Sequence, residues 1–377
     1  MAARRTPRRA PRTGDEETDA LLDQLVAALG VNANHDQVLE LFTTAVKLAG
    51  DDADRLDLKL ANVALKEMRE GFQLFAPYRG RRKITMFGSA RTLPSDPLYG
   101  QARDLARVLA ASSWDTVTGA GPGIMAAGLE GAGPDHSFGI NIRLPFEQGA
   151  NEFIASDPKL VSMKYFFTRK LLLIKESDGY AVLPGGYGTL DEAFELLTLS
   201  QTGKAMPAPI VMLEVPGGTY WRAWEEWVHA EVEARHLIGP TDRHIYLITD
   251  DVAEAAREIL WFYRNYHSLR FVGDTLVIRL QVRPSDAEIA ALSEEFCDLC
   301  TTGGISALDG PLPAEARNGD VTDLPRIALR FDRVSYARLR LLIDALNRLP
   351  SAPPPPPIER AASLGDLPAV EASPSAS

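Results

Sequence analysis

The stretch LPGGYGTLDE, Leu183–Glu192, follows an apolar segment, Gly179–Leu183, and leads into a run with helical periodicity. Glycines let a backbone turn sharply and approach a ligand closely, and the free N–H groups at the start of a helix favour an anion. We therefore predict a strand, a glycine-rich turn and a helix that opens at about Thr189 with acids in its first turn. The pattern is typical of a phosphate cradle with a carboxylate, Glu192, beside it.

Short apolar segments alternate with helical segments between Arg82 and His267, which indicates a Rossmann-like parallel sheet wrapped by helices, an α/β fold. The expected strands are Ile84–Phe87, Thr116–Thr118, Ser137–Ile142, Gly179–Leu183, Pro209–Leu213 and Ile245–Ile248. Ligands bind outside the carboxyl ends of strands in open α/β sheets. We therefore expect Ser89 and the loops Gly119–Gly123 and Gly185–Thr189 to converge on one site.

The second glycine-rich loop helps to decide the kind of nucleotide. Gly119, Gly121 and Gly123 lack the GxGxxG spacing of a dinucleotide fingerprint, and no acid is clearly placed to bind a ribose 2'-hydroxyl. A mononucleotide is therefore favoured over NAD.

Regions outside the expected sheet have their own patterns. Residues 18–80 show helical spacing, with one apolar stripe along Leu60–Phe75 that needs a cover, and residues 271–350 read as strand, helix, two strands and helix. We divide the chain into a disordered basic arm (1–17), an N-terminal helical segment (18–80), a nucleotide-binding domain (81–270), a small α+β appendage (271–350) and a disordered Pro/Ala/Ser tail (351–377). For the appendage we favour a dimer or packing role over binding of a regulatory ligand.

Composition excludes several classes of protein. The 377 residues have a net charge of −11, which argues against a general nucleic-acid binder, the arginine-rich first residues being the exception. No apolar run approaches the ~20 residues that span a bilayer, and no apolar stretch of a signal peptide follows the N-terminal arginines. We therefore expect a cytoplasmic protein. Cys297 and Cys300 lack a second pair or nearby histidines for zinc, so we expect no metal site and assign both to the core face of a helix.

Five blocks of sequence, taken together, resemble the LONELY GUY family. The decisive one is Pro184–Glu192, which matches the signature PGGxGTxxE of that family. The others, in the order of the family, are Gly88–Arg91, Thr118–Met125, Phe166–Lys170 and Leu199–Lys204. The likeness covers roughly Arg82 to Tyr266 and is closest to the longer branch, of which the segment Ile142–Gln148 is typical.

The resemblance implies a nucleoside 5'-monophosphate phosphoribohydrolase. Such an enzyme splits the N-glycosidic bond of AMP or an N6-prenylated AMP into ribose 5-phosphate and the free base, adenine or a cytokinin. It implies that Glu192 and Arg169 are catalytic, that no cofactor is needed, and that the protein is at least a homodimer with its sites near the interface. The implied substrate-binding residues are Ser89, Gly119, Gly121, Gly123, Met125, Lys170, Gly185, Gly186, Gly188 and Thr189.

Other interpretations of the same residues stay open at this point. Glu192 also suits a helix start through the helix dipole, and Arg169 and Lys170 also suit charges that reach water beside a buried helix face. The alternative function is a non-catalytic module of the same fold that binds or senses a nucleotide or the molybdenum cofactor. Lysine decarboxylation, an older label for the family, has no support here beyond the phosphate loop, since it needs a lysine Schiff base with pyridoxal phosphate.

Overall fold

The structure, a computed structural model, describes residues 12–31, 34–144, 149–319 and 321–358. Most of the expected basic arm, residues 145–148 of the family-typical segment, and the end of the expected tail lie outside the described residues. The chain forms two compact units, Met1–Arg69 and Glu70–Ser377. Among the helices that the structure describes, none combines the length and the apolar character that a membrane crossing requires.

The first unit is helical, as the sequence spacing predicts. It contains α1 (Glu16–Ala28), α2 (His35–Gly50) and the beginning of α3 (Arg55–Phe75). The Asp15 carboxylate accepts a hydrogen bond from the Thr18 backbone N–H and caps α1. Leu22, Val26 and Leu39 are buried between α1 and α2.

The second unit is built on a seven-stranded sheet with the strand order β4-β3-β2-β1-β5-β6-β7, in which every pairing is parallel. Its strands are β1 (Lys83–Phe87), β2 (Asp115–Thr118), β3 (Ser137–Ile142), β4 (Leu160–Met163), β5 (Gly179–Val182), β6 (Ile210–Leu213) and β7 (Leu247–Thr249). The helices around it are α4 (Pro97–Ala111), α5 (Ile124–Ala132), α6 (Phe166–Lys175), α7 (Tyr187–Gln201), α8 (Tyr220–Trp227) and α9 (Val252–Trp261). The predicted α/β fold is confirmed.

Both faces of this sheet are covered by helices, which explains why its strands read as nearly continuous apolar runs. One core packs α4, α5 and α9 against residues such as Ile84 and Val211, and the other packs α6 and α7 against residues such as Phe138 and Val182. All residues of β1, β2, β5 and β6 are buried.

The strand order reverses beside β1. Strands β2, β3 and β4 are added in turn on one side of β1. The next strand, β5, pairs with the other side of β1. In open α/β sheets such a switch point opens a crevice at the carboxyl ends of the strands. The loops after β1 and β5 therefore flank the position where a ligand binds in this class of fold.

Three elements of the parallel sheet and its helices differ from the sequence expectation. The strand β4 was not predicted. The expected strand Ile245–Ile248 lies two residues later, as β7, because Asp242–Ile245 forms a short 3-10 helix whose Asp242 carboxylate accepts from the Gly239 N–H at 2.8 Å. Helix α7 begins at Tyr187, two residues before the predicted Thr189, so that its acids lie in the second turn and not in the first.

The predicted α+β appendage is a second sheet with the order β10-β11-β9-β8 and antiparallel pairing. Its strands are β8 (Tyr266–Val272), β9 (Thr275–Leu280), β10 (Ser306–Leu308) and β11 (Arg326–Leu329), and its helices are α10 (Asp286–Glu295), α11 (Pro313–Asn318) and α12 (Tyr336–Arg348). β8 and α11 were not predicted. The core assignment of Cys297 was wrong, because this residue is exposed on a short 3-10 helix that follows α10.

Residues 351–358, the first part of the expected tail, make defined contacts. The Ser351 N–H donates to Glu288, and the Arg264 guanidinium donates to the Pro353 carbonyl. Ile358 packs against the core that α4 and α9 share. This proline-rich segment therefore runs along the second unit instead of leaving it at residue 351.

A buried amide joins the last helix to the start of the appendage. The Asn347 Oδ1 atom accepts from the backbone N–H groups of Asn265 and Tyr266 at 2.8 and 2.9 Å, and Nδ2 donates to the Phe262 carbonyl at 2.6 Å. Asn347 is 6% exposed, so water cannot readily replace these bonds.

We expect Asn347→Ala to lower the free energy of unfolding by about 2–4 kcal/mol, because it leaves buried backbone groups without partners. Urea denaturation followed by circular dichroism measures this difference. The neighbouring exposed residue gives the control, Arg348→Gln, which should change stability by less than about 0.5 kcal/mol. Equal losses in the two variants would contradict the assigned role of the amide.

Candidate functional site

A cleft of about 900 Å³ lies at the carboxyl ends of β1, β2, β3 and β5. Its walls include the loop after β1 from Gly88, the loop after β2 from Gly119, and the stretch Gly185–Glu192 after β5. The volume is in the range of small-molecule and cofactor sites.

Backbone hydrogen bonds tie the loops of the cleft to one another. The Ser89 N–H donates to the Pro184 carbonyl at 3.2 Å, and the Ile124 N–H donates to the Ser89 carbonyl at 3.0 Å. The loop after β1 is thereby held between the other two. The predicted convergence of the three loops follows from these contacts as well as from the strand order.

Several glycines of the loops are required by close packing. A Cβ atom on Gly119 would lie 1.7 Å from Nη2 of Arg169, and one on Gly185 would lie 2.2 Å from Oγ1 of Thr189. Gly123 has a φ of +67°, and a Cβ there would lie 2.2 Å from the Ser89 carbonyl oxygen. By contrast, a Cβ on Gly186 or Gly188 would meet no described atom within 4 Å, so protein packing does not explain these two glycines.

The N-terminus of α7 opens into the cleft. Its cap residue is Gly186, and no side chain in the described part of the chain caps the helix there. The first backbone N–H groups of an α-helix lack intrahelical acceptors and carry partial positive charge. The residues Tyr187, Gly188 and Thr189 of this turn line the cleft, which makes the turn a candidate anion site.

Arg169 is fixed by the backbone beneath these loops. It is 8% exposed on α6, its Nε donates to the Ile140 carbonyl at 2.9 Å, and its Nη2 donates to the Gly119 carbonyl at 3.4 Å. Nη1 lies 3.8 Å from Oε1 of Glu192. The guanidinium is therefore directed at Glu192, and the alternative of a side chain that merely reaches water does not hold.

Glu192 is a nearly buried carboxylate with an unusual proton affinity. Burial raises its pKa to about 7, against the lowering effect of the Arg169 and Lys170 cations. Its position in the second turn of α7 places it beyond the helix start, so that the helix dipole alone does not explain an acid here. A group that titrates near neutral pH in a cleft is a candidate for acid–base or electrostatic chemistry.

The remaining predicted residues line the cleft, with the exception of Gly123. Lys170 lines the cleft, but its Nζ lies 2.7 and 2.8 Å from carboxylates of Asp191 and Glu195, so it ties α6 to α7. Ser89 lines the cleft while its Oγ accepts from the Arg91 N–H at 3.0 Å. The other predicted residues in the cleft lining are Gly119, Gly121, Met125, Gly185, Gly186, Gly188 and Thr189, and Gly123 lines a neighbouring cavity of about 610 Å³.

The cleft also contains residues that sequence reasoning missed. Tyr220, at the start of α8, donates its hydroxyl to the Gly185 carbonyl at 2.7 Å and so supports the glycine turn. Asn141 lines the cleft from β3, and Tyr187 is 94% exposed at its mouth. The position of Tyr220 in the connection after β6 is the available signal, because the carboxyl end of β6 points to the same edge of the sheet.

Fold and cleft together define an α/β protein with a helix N-terminus that opens into the cleft and a carboxylate–guanidinium pair beside it. Residues 122–259 match a family described as possible lysine decarboxylase. Over 169 residues the chain is 32% identical to the probable cytokinin riboside 5'-monophosphate phosphoribohydrolase LOG6 of Arabidopsis thaliana. The aligned region covers 44% of this chain and 79% of that protein. The chain belongs to this family, the LONELY GUY family, as its motifs indicate.

Two further similarities are more distant. The chain is 28% identical over 178 residues to a pyrimidine/purine nucleotide 5'-monophosphate nucleosidase of Escherichia coli. The aligned region covers 43% of this chain and 37% of that protein. The molybdenum cofactor carrier protein of Chlamydomonas reinhardtii overlaps 47% of this chain and 94% of that chain, with 18% identity and a TM-score of 0.33. An overlap of this extent carries no argument about ligand or activity.

The burial of Glu192 predicts a pH-dependent effect on stability. Its pKa is about 7 in the folded protein and 4.5 in its ordinary state, so the folded chain binds more protons between these values and its stability falls as pH rises through this window. Glu192→Gln removes this contribution. We expect the stability of the variant relative to the parent to be about 3 kcal/mol higher at pH 8 than at pH 4.

Urea denaturation at the two pH values measures this difference. Glu195→Gln is the matched control, since its carboxylate lies on the same helix and is 39% exposed. A stability difference for Glu192→Gln that is the same at both pH values would show that this carboxylate does not titrate near neutral pH.

Proposed function

We propose that the protein hydrolyses the N-glycosidic bond of a purine nucleoside 5'-monophosphate, AMP or an N6-prenylated AMP. The products are ribose 5-phosphate and the free base, adenine or a cytokinin. The observation that carries the proposal is the Glu192–Arg169 pair, 3.8 Å apart and one helical turn from the open N-terminus of α7. The activities named for the relatives from Arabidopsis thaliana and Escherichia coli support it.

The phosphate is bound at the first turn of α7 in this proposal. Its negative charge is favoured by the N–H groups of that turn and by the helix dipole. Gly186 and Gly188 leave room for the phosphate to approach the backbone, since a Cβ at either position would meet no described atom within 4 Å. Tyr220 supports the turn through its bond to the Gly185 carbonyl.

Glu192 then acts at the sugar. As the bond from the base to the anomeric carbon breaks, positive charge develops on the ribose, and a nearby carboxylate stabilises that charge and orients a water. The water oxygen forms the new bond to the anomeric carbon as the bond from that carbon to the base breaks. One proton of the water passes to the Glu192 carboxylate, which returns it to the nitrogen of the departing base. The pKa of about 7 suits a group that takes and returns a proton at neutral pH.

Arg169 orients the carboxylate and favours its ionised form. Its Nε and Nη2 atoms donate hydrogen bonds to the Ile140 and Gly119 carbonyls. These bonds keep Nη1 close to Glu192. A charge held in this way adds little reorganisation cost when the transition state forms.

A lysine decarboxylase is the less favoured chemistry. Of the described residues that line the cleft, Lys170 is the one lysine, and its ammonium is paired with Asp191 and Glu195. A Schiff base requires a neutral amine, which two adjacent carboxylates oppose.

We expect AMP and N6-isopentenyl-AMP to be cleaved and adenosine to be cleaved at least about a hundredfold more slowly, because adenosine lacks the anchoring phosphate. Chromatography of free base measures the rates.

Glu192→Gln should lower turnover by about two to four orders of magnitude, whereas Glu195→Gln, outside the cleft lining, should retain most of it.

Equal rates with AMP and adenosine would exclude the phosphate anchor. Undiminished turnover in Glu192→Gln would remove this residue from the mechanism. Tight binding of AMP without release of base would favour the alternative, a module that only binds or senses a nucleotide or a cofactor.

The proposal includes a cytoplasmic homodimer. Helix α6 carries Phe166, Phe167 and Leu171, which are 54%, 51% and 44% exposed, and Phe166 lines the cleft. A cluster of large apolar side chains on the surface is typical of an interaction site. Sedimentation at micromolar concentration should give a mass twice that of one chain. In the Phe167→Glu variant, the measured mass should fall toward that of a single chain. A fully active monomer would contradict the assembly.

A further inference from the structure

The two cysteines of the chain, Cys297 and Cys300, belong to a single turn of the appendage. Cys297 opens a 3-10 helix, Cys297–Leu299, and the Cys300 N–H donates to the Cys297 carbonyl at 3.0 Å. A 3-10 helix has about three residues per turn and rises about 2.0 Å per residue, so positions i and i+3 lie one above the other, about 6 Å apart. Disulfides join Cα atoms that are about 4.4–6.8 Å apart. The backbone of this turn therefore has the spacing that a disulfide needs.

The side chains of the two cysteines also lie on the same side of the turn. Side chains at positions i and i+3 of a 3-10 helix are eclipsed. Burial raises the pKa of the Cys300 thiol, and the next contribution to that rise comes from Cys297, followed by Asp298 and Asp332. Because a charge shifts a neighbouring pKa strongly only at short range, this coupling identifies the two sulfurs as neighbours.

The two thiols differ in their access to solvent. Cys297 is exposed, whereas Cys300 is half-buried and packs against the core of the appendage. The attacking species in thiol–disulfide exchange is a thiolate that the reagent can reach. A reagent in solution therefore reaches Cys297 first, and Cys300 is placed to attack the product that forms on Cys297.

The residues between the two cysteines are held by partners outside the turn. The Asp332 N–H donates to the Leu299 carbonyl at 3.1 Å, and Nε of Arg338 on α12 donates to the Asp298 carboxylate at 3.0 Å. These two bonds fix the turn in the conformation that brings the cysteines together, and they join it to the beginning of α12.

We propose that Cys297 and Cys300 are a modification site, a dithiol that a small-molecule disulfide converts reversibly into an intrachain disulfide. The Cys297 sulfur loses its proton and attacks one sulfur of the reagent, whose S–S bond breaks and whose first half leaves as a thiolate that takes up the proton. The Cys300 sulfur then loses its proton and attacks Cys297 Sγ, and the second half of the reagent leaves in the same way. Two protein thiols are thereby oxidised, and one small-molecule disulfide is reduced to two thiols.

Oxidation of this pair strengthens the contact between the turn and α12. A disulfide removes open conformations of the segment that it closes. Asp298 and Leu299 lie inside the closed segment, so their bonds to Arg338 and Asp332 break less often in the oxidised chain. Disulfides that form in reducing compartments are usually transient and serve catalysis or redox sensing. The pair thus makes the stability of the appendage depend on the redox state of its surroundings.

Intact mass spectrometry of the full chain in excess oxidised glutathione tests the site. We expect the mass to fall by two hydrogen atoms, with no glutathione retained and neither cysteine open to alkylation, and we expect dithiothreitol to reverse the change. Cys300→Ser should retain one glutathione on Cys297, because the second thiol is missing. Cys297→Ser should acquire glutathione at least about tenfold more slowly than Cys300→Ser, because its remaining thiol is half-buried.

Three results would overturn the disulfide: an unsubstituted chain that keeps both cysteines open to alkylation, one that retains glutathione as Cys300→Ser does, or one that forms disulfides only between chains on a non-reducing gel. If either variant does not fold, the mass of the unsubstituted chain decides.

Hydrogen–deuterium exchange tests the effect on α12. Peptides that contain Asp332 should exchange at least about threefold more slowly in the oxidised chain than in the reduced chain, because closing the turn restrains local opening. Cys297→Ser, treated in the same way, is the control and should show no such change. Equal exchange in the oxidised and reduced chains would refute the strengthened contact.

Discussion

The carboxylate of Glu192 is largely excluded from water and lies beside the guanidinium of Arg169, which backbone carbonyls hold in place. Arg169 reaches it because the Ile140 and Gly119 carbonyls accept two of its nitrogens, and Gly119 must be a glycine for the arginine to pass. One contact of 3.8 Å thus depends on β3, the loop after β2, α6 and α7 together. Desolvation raises the proton affinity of the carboxylate and the arginine limits that rise, so the balance between them sets the pKa of about 7.

That arrangement depends in turn on the topology of the sheet. Because β5 returns to the free side of β1, the loops after both strands face each other across the switch point, and the bond from Ser89 to Pro184 closes the gap between them. The strands themselves are buried from both sides, which fixes the ends from which the loops start. A rigid sheet with glycine-rich turns at the carboxyl ends of its strands gives a precise site without long structured loops.

The elements that the sequence predicts correctly are those set by local patterns of glycine and apolar residues. The turns around Gly119 and Gly185 and the strands before them follow from glycine spacing and apolar runs, and so does the helix after them. The support from Tyr220 and the burial of Glu192 could not be predicted, because both depend on residues far apart in the chain that only the folded sheet brings together. β4 was missed for a related reason: its four residues pair with β3 at the edge of the described sheet and carry little periodicity of their own.

In the proposed function, the spacing on α7 sets the position of the bound phosphate relative to Glu192. Thr189 in the anion-binding turn and Glu192 are three residues apart, which on an α-helix is about 4.5 Å along the axis and nearly the same face. In that proposal, the turn that holds the phosphate and the carboxylate of Glu192 both face the bound ribose 5-phosphate from α7. Because the helix fixes both groups on one rigid element, the distance from phosphate to carboxylate does not vary with loop motion. The proposed function therefore requires that a nucleotide anchored by its 5'-phosphate place its anomeric carbon next to Glu192.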